Sequence, residues 1–313
     1  MMNRGVLYIV VAVILCTTCS LYFKDVLLRR EISATDNIGK ATVNIDKAID
    51  TVGNVITRTD STWRINTDVC VYKEDFVLAH LRMPPKTPIF VYSAKIDRHV
   101  SASIISRGHY EGSWVNKIYN LMKQYPKAVF IDIGSNIGMF SVTISALGYR
   151  VIAIDCLDDN VMRLCASMKT AKLSDKLTII YNAVSDKHEK VTLGKYDGDV
   201  GGTFIKQYAQ EEKKYVETIC LDDLLDIYNL EQVIIKMDVE KAEDKVLKGA
   251  NQFFQRVRVE ALLMEFIKHK NSPSGQFIVD FLSYYGLEPE VPRHLKNNYN
   301  KWQDNNILFK RKR

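Results

Sequence analysis

No Asn-x-Ser/Thr sequon occurs in this sequence, so no glycosylation site reports on its compartment. The six cysteines include no two CxxC pairs at zinc-ligand spacing. That argues against a structural zinc site and leaves Cys70, Cys156, Cys165 and Cys220 as thiols or as disulfide partners in an oxidising lumen. No basic stripe with interleaved aromatics accompanies the formal charge of +6, so nothing points to a nucleic-acid partner. The basic run Lys310 to Arg313 reads as a solvated tail. Proline is scarce, seven in 313 residues, and Pro84, Pro85 and Pro88 crowd a single stretch.

Charge is missing altogether from Gly5 to Phe23, where Val, Ile and Leu dominate. A helix of roughly 20 apolar residues crosses a bilayer. Residues 5–23 are therefore expected to form a transmembrane signal-anchor behind a short tail, 1–4. A cleavable signal peptide, cut near Thr18-Cys19-Ser20, is the competing reading. Basic residues flank the run on both sides and leave the orientation open. A short tail before a large body favours a single-pass protein of the secretory pathway, in the ER or Golgi, with its body in the lumen. Residues 24–60 are expected to form a stem. Ile38, Ala41, Ile45, Ala48, Val52 and Val55 recur at spacings of three and four, a heptad pattern able to pair two chains as a homodimer. Gly39 and Gly53 weaken it. Residues 61–110 form a lead-in, with strands expected in VYKEDFVLA and IFVYSA.

From residue 111 to 313 strand and helix patterns alternate. Trp114 to Tyr125 has a helical pattern; Ala128 to Ile133 is a short, branched apolar run of the kind a buried parallel strand requires. Met139 to Leu147 follows as a helix, closed by Gly148. Arg150 to Asp155 is a second strand, Asp158 to Lys172 a helix, and Leu177 to Asn182 a third strand. Such alternation implies an α/β fold, a parallel sheet with right-handed crossovers and flanking helices. Ligands of such sheets bind at the carboxyl ends of the strands.

The first of those ends reads Asp132-x-Gly134-x-Asn136-x-Gly138. A dinucleotide fingerprint would be G-x-G-x-x-G, shaped for a pyrophosphate. An acid at the strand end repels a pyrophosphate but suits the amino group and sulfonium of S-adenosyl-L-methionine. Asp155, about twenty residues past the loop, can accept both ribose hydroxyls of an adenosine ligand. A second block, Gln232 to Met237, is a strand running into Lys236-Met237-Asp238-Val239-Glu240. Alternate residues share one face of a strand, so Lys236, Asp238 and Glu240 would converge at its end. Three charges there are too costly for a core and suit an active-site edge. Ala261 to Phe266 is a further apolar strand carrying Glu265, for which Lys236 is the expected partner.

Taken in order, FIDIGSNIGMFS, NAVSDK, TICLDDLL and IIKMDVEKAEDKVLKGA with the later LLMEF resemble the FkbM-type methyltransferase family over roughly Glu111 to Phe266. The resemblance implies a Rossmann-like class I methyltransferase sheet, S-adenosyl-L-methionine as cofactor, and O-methylation of a hydroxyl on a glycan or related metabolite. By position, Asp132, Gly134, Asn136 and Gly138 would hold the methionine end of the donor, Asp155 the ribose, and Asn182 and Ala183 the adenine. Lys236, Asp238, Glu240 and Glu243 match the family's charged signature, and Glu265 its late acid. Asp238 is the expected base, Lys236 its tuning partner, and no metal is required. Two departures stand out: Lys241 where the family usually has glycine, and Asp155-Cys156 where it has Glu-Pro. Lys241 supports a rival reading, a non-catalytic membrane-anchored binding protein that keeps the fold. A nucleic-acid amine methyltransferase is disfavoured, because no Asn/Asp-Pro-Pro-aromatic motif is present.

Overall fold

The structure, a computed structural model, describes residues 55–312 apart from 67, 84, 197–198, 208–213 and 297. The expected membrane anchor and nearly all of the stem lie outside the described residues. Among those described, no helix is long and apolar enough to cross a membrane. The last heptad position, Val55, opens a strand rather than extending a helix.

That strand, β1 (Val55–Thr59), turns back into β2 (Thr62–Ile65). A separate hairpin follows, β3 (Val77–Leu81) with β4 (Thr87–Val91). Only the last three residues of the run VYKEDFVLA, Val77 to Ala79, are strand; Pro88 is tolerated in β4 because the hairpin has only two strands. Helices α1 (Val100–Arg107) and α2 (Gly112–Gln124) lead into β5 (Val129–Ile133), α3 (Met139–Ala146), β6 (Val151–Asp155), α4 (Asp158–Thr170) and β7 (Leu177–Tyr181). A four-stranded flap comes next: β8 (Ala183–Val184), β9 (Lys190–Tyr196), β10 (Asp199–Gln207) and β11 (Val216–Ile219). After a 3-10 turn at Leu221–Asp226 the chain forms β12 (Gln232–Met237), α5 (Glu243–Lys248), α6 (Asn251–Arg256) and β13 (Arg258–Glu265), then α7 (Pro273–Tyr284), β14 (Leu287–Pro289) and β15 (Asn306–Arg311).

The main sheet has nine strands in the order β14-β15-β13-β12-β5-β6-β7-β1-β2. Its centre, from β13 to β1, is parallel; β15 inserts antiparallel between β13 and β14. The sheet thus extends upstream of residue 111, because β1 pairs with β7. Strand alternation divides two cores between the faces. Ile131, Ile133, Val233, Ile235 and Met237 pack with Phe253, Phe254 and Phe281 beneath α6 and α7. Phe130, Ile234, Val151 and Ala153 pack with Ile118, Val142 and Leu164 of α2, α3 and α4. Both faces being covered, β5 and β6 are buried at every residue, which is why they read as unbroken apolar runs.

The lead-in is fastened to α4. Cys70 is disulfide-bonded to Cys165, which lies in the core. Arg163, 1% exposed, is clamped between the rings of Phe76 and Tyr92, 4.3 and 3.6 Å from their centroids, and pairs with Asp75 at 3.0 Å.

Candidate functional site

Strand order reverses between β5 and β12, the topological switch point where open α/β sheets bind ligands. The loop leaving β5 is left-handed at Gly134, Asn136 and Gly138, with φ of 76°, 52° and 86°. At Gly134 the requirement is also one of space, since a Cβ there would sit 1.8 Å from the Asp238 carbonyl oxygen. Asn136 closes its own turn, its Oδ1 accepting the Ile137 amide at 2.7 Å. The amides of Gly134 and Ser135 both reach the Ile154 carbonyl, and the Asn136 amide donates to Asp155 Oδ2 at 2.7 Å. Loop and second strand end therefore form one unit.

A cavity opens over this unit, lined by Gly134, Asn136, Ile154, Asp155, Cys156, Asn160, Asn182, Ala183, Val184, Asp238 and Val239. Asp155 Oδ1 accepts the Leu157 amide at 2.9 Å and Asn160 Nδ2 at 3.3 Å. Burial pushes its pKa up to about 6 despite those donors. The side chain of Asn182 is used structurally: it accepts the Arg58 amide and donates to the carbonyls of Arg58 and Glu217, pinning β1 to the flap. What it offers a ligand is its backbone and the adjoining Ala183.

Below the loop lies a charged cluster that strand register creates. Lys236 and Asp132 are direct cross-strand partners on β12 and β5. Lys236 Nζ lies 3.7 Å from Asp132 Oδ1, 3.3 Å from Asp238 Oδ2, and donates to the Gly134 carbonyl at 3.0 Å. Asp132 is fully buried and accepts Ser141 Oγ at 2.6 Å. Burial disfavours the Lys236 ammonium, but Asp238, Asp132 and Glu111 outweigh it and hold its pKa above the usual lysine value. Burial raises the pKa of Asp132 and of Glu111, against the pull of Lys236 in both cases. Lys236 thus belongs to Asp132 and Asp238 and is not the partner of Glu265, as the sequence suggested. Glu265 instead faces Asp238 and Glu240, the three carboxylates lying within 4.8 Å of one another. Burial, then the charges of Asp238 and Glu240, push its pKa up to about 7. Crowded carboxylates relieve repulsion by keeping a proton or by taking a cation, and the raised pKa describes the first.

The expected site residues separate into layers. Gly134, Asn136, Asp155, Asn182, Ala183 and Asp238 line the cavity. Asp132 and Lys236 lie under its floor, and Gly138 packs on Leu164. Strand β12 ends at Met237, so Glu240 reaches Asp238 through a loop rather than by strand alternation; Glu240 and Lys241 are both left-handed, with φ of 54° and 76°. A position at +76° explains why glycine is usual there, and Lys241 meets it with an exposed side chain that does not line the cavity. Glu243 is fully buried and also outside the lining. Sequence reasoning missed Glu111, whose carboxylate accepts Asn306 Nδ2 at 3.0 Å beside Lys236, and Asn160, which links the cavity to the lead-in through Tyr92 at 2.7 Å. Trp302 is buried and packs against Phe266, ring centroids 4.8 Å apart.

A methyltransferase FkbM domain model matches residues 132–289, half of the sequence and all of the strand ends just described. The chain belongs to the FkbM methyltransferase family. No curated protein matches it. Among solved structures it is similar to an O-methyltransferase from Bacillus cereus in complex with SAH, at 13% identity, 67% of this chain and 86% of that one, and a TM-score of 0.40. It is also similar to magnesium protoporphyrin IX methyltransferase from Synechocystis with bound SAM, at 12% identity, 64% and 79% coverage, and a TM-score of 0.35. An rRNA methylase from Streptococcus thermophilus gives 11% identity, 59% and 88% coverage, and a TM-score of 0.33. Likenesses this remote say nothing of the acceptor.

The cavity fits the methyl donor of this FkbM chain. Gly134 lines it with backbone alone, and the Asn136 side chain is turned back onto its own loop. Asp155 stands at the end of the adjoining strand, and Asp238 supplies a carboxylate to the same cavity.

Proposed function

We propose that this protein is a membrane-tethered S-adenosyl-L-methionine-dependent O-methyltransferase acting on a hydroxyl of a glycan or related metabolite. The observation that carries the reading is Asp238: it lines the cavity and rests 3.3 Å from the buried Lys236. When bound, S-adenosyl-L-methionine supplies a methyl carbon already activated by its sulfonium. Asp155 would take the ribose hydroxyls, and the 134–138 loop the methionine end. Asp238 would accept the proton of the acceptor hydroxyl as its oxygen forms the new bond to carbon and the carbon–sulfur bond breaks. Alignment of the oxygen supplies much of the acceleration, and a positioned base adds roughly 10²–10⁴-fold. Lys236, 3.3 Å away, positions the Asp238 carboxylate.

Support for a luminal setting is independent of the site. The apolar run from Gly5 to Phe23 suits an anchor. A disulfide at Cys70–Cys165 belongs to an oxidising compartment. Calorimetric titration of the full chain in detergent, with S-adenosylhomocysteine and with NAD as control, tests the donor assignment. Saturable binding of the first alone, lost in Asp155→Ala, is expected. A folded chain that binds neither ligand, or binds NAD, overturns the reading. Labelled methyl transfer to a panel of oligosaccharides then tests the acceptor; methyl esters or methylamines as sole products would refute O-methylation.

A further inference from the structure

The signature glutamate Glu243 has a role the cavity does not explain. It is fully buried at the start of α5, and a buried charge needs partners. Its Oε1 accepts the Val239 amide at 2.9 Å, while Oε2 lies 2.7 Å from His269 Nε2. His269, 2% exposed, comes from the turn after β13, and its Nδ1 lies 2.6 Å from Ser274 Oγ in the first turn of α7. A carboxylate oxygen accepts, so Nε2–H donates to Glu243, and Nδ1 pairs with the Ser274 hydroxyl. The close approach of α7 is built in, since a Cβ on Gly275 would fall 2.2 Å from the His269 carbonyl oxygen.

We propose that Ser274, His269 and Glu243 form a buried positioning chain that sets one wall of the donor cavity. The chain ends on the amide of Val239, which with Asp238 lines that cavity. The next two residues, Glu240 and Lys241, are left-handed, a conformation that costs a non-glycine residue about 1–2 kcal/mol and persists only where surroundings hold it. Glu243 grips the loop immediately before that strained pair, and His269 and Ser274 fix the carboxylate in turn. None of the three lines the cavity, so each is a positioning residue rather than a catalytic one.

The proposal rests on the cavity being the donor site, and the experiment separates the two. S-adenosylhomocysteine is titrated into the full chain and into His269→Ala, His269→Gln, His269→Asn and Ser274→Ala, with imidazole nitrogen shifts of His269 read by NMR. We expect about tenfold weaker binding in His269→Ala and about threefold in Ser274→Ala, the size of losing one hydrogen bond. The amide nitrogen of His269→Gln reaches the Nε2 position and donates to Glu243, so it should restore binding to within about threefold. His269→Asn reaches only the Nδ1 side and should not. The NMR signature expected is a ring protonated on Nε2, with Nδ1 shifting in Ser274→Ala. If the wild-type chain does not bind, the donor-site reading fails. If it binds and all folded variants bind equally, or asparagine rescues as well as glutamine, the positioning chain alone is overturned. Should His269→Ala not fold, the glutamine–asparagine contrast and Ser274→Ala decide.

Discussion

Cutting the Cys70–Cys165 bridge should cost this protein a large share of its stability. The bridged cysteines are 95 residues apart, and closing a loop of that size removes about 5 kcal/mol of chain entropy from the unfolded state. For a body of this size, 1 kcal/mol moves Tm by roughly 2–4 °C, so a loss of about 10–20 °C is expected. The effect should reach the cavity at the strand ends. The layer the bridge secures carries Tyr92, whose hydroxyl donates to Asn160 Oδ1 at 2.7 Å, and Asn160 lines the cavity and donates to Asp155. The assay is thermal unfolding of the wild-type chain with and without a reductant, beside Cys70→Ala, with alkylation and mass spectrometry to count the bridge. Reduced wild type and oxidised Cys70→Ala should melt together, well below oxidised wild type. A bridge that is shown present, then shown cut, with Tm unchanged within about 2 °C would refute the entropy argument.

Lys236→Met leaves Asp132 buried without its cation and should destabilise the fold by about 3–5 kcal/mol in denaturant titration; adding Asp132→Asn should recover part of that, and a purely additive double mutant would contradict the pairing. Gly134→Ala forces a Cβ to within 1.8 Å of the Asp238 carbonyl oxygen and should abolish S-adenosylhomocysteine binding. Gly148→Ala, also left-handed but with nothing within 4 Å of its Cβ, should bind normally and lose only about 1 kcal/mol or slightly more. Glu265 ionises near its ordinary value of 4.5 in the unfolded chain and near 7 when folded. Between those values the folded state keeps a proton the unfolded state has lost, so this group makes stability fall as pH rises through that window. Glu265→Gln should flatten that slope and melt higher than wild type above pH 7; parallel pH profiles for the two proteins would dismiss the shift.

The central strands were legible because burial on both faces leaves a direct mark. The run Gln232 to Met237 is a strand over just those residues, and Arg150 to Asp155 differs by one. Strands β1 and β2 escaped notice because VITRT and TWRI are short and lack alternating burial next to a heptad-like run, and the pairing of β1 to β7 joins residues more than a hundred positions apart. The loop after β5 was legible through residue types that suit a left-handed, closely approached backbone. Charge pairing was harder to read. That Lys236 and Asp238 share one strand end follows from sequence, but that Lys236 lies across from Asp132 depends on register between strands a hundred residues apart. Glu111 and His269 carry no local signal at all. Each is a single polar residue whose meaning comes from a distant partner: Asn306 for one, Glu243 for the other.

The same charge cluster should discriminate between donor and product. Asp132, Asp238 and Glu111 share the one ammonium of Lys236. Of the three, Asp238 presents its carboxylate to the cavity. A sulfonium has a positive charge that the thioether product lacks. At an effective dielectric of about 20, a unit charge on the wall of a ligand site contributes on the order of 1–2 kcal/mol, roughly tenfold in affinity. S-adenosyl-L-methionine should therefore bind roughly tenfold tighter than S-adenosylhomocysteine, and transfer itself would weaken the grip on the product. Asp238→Asn keeps the shape of the wall and removes the charge, so it should collapse the ratio toward one while leaving the homocysteine affinity nearly unchanged. Competition titration of both ligands against both proteins measures the four constants. Equal affinities in the wild type, or a ratio untouched by Asp238→Asn, would mean that Lys236 already neutralises the wall, and Asp238 would keep only its part in proton transfer.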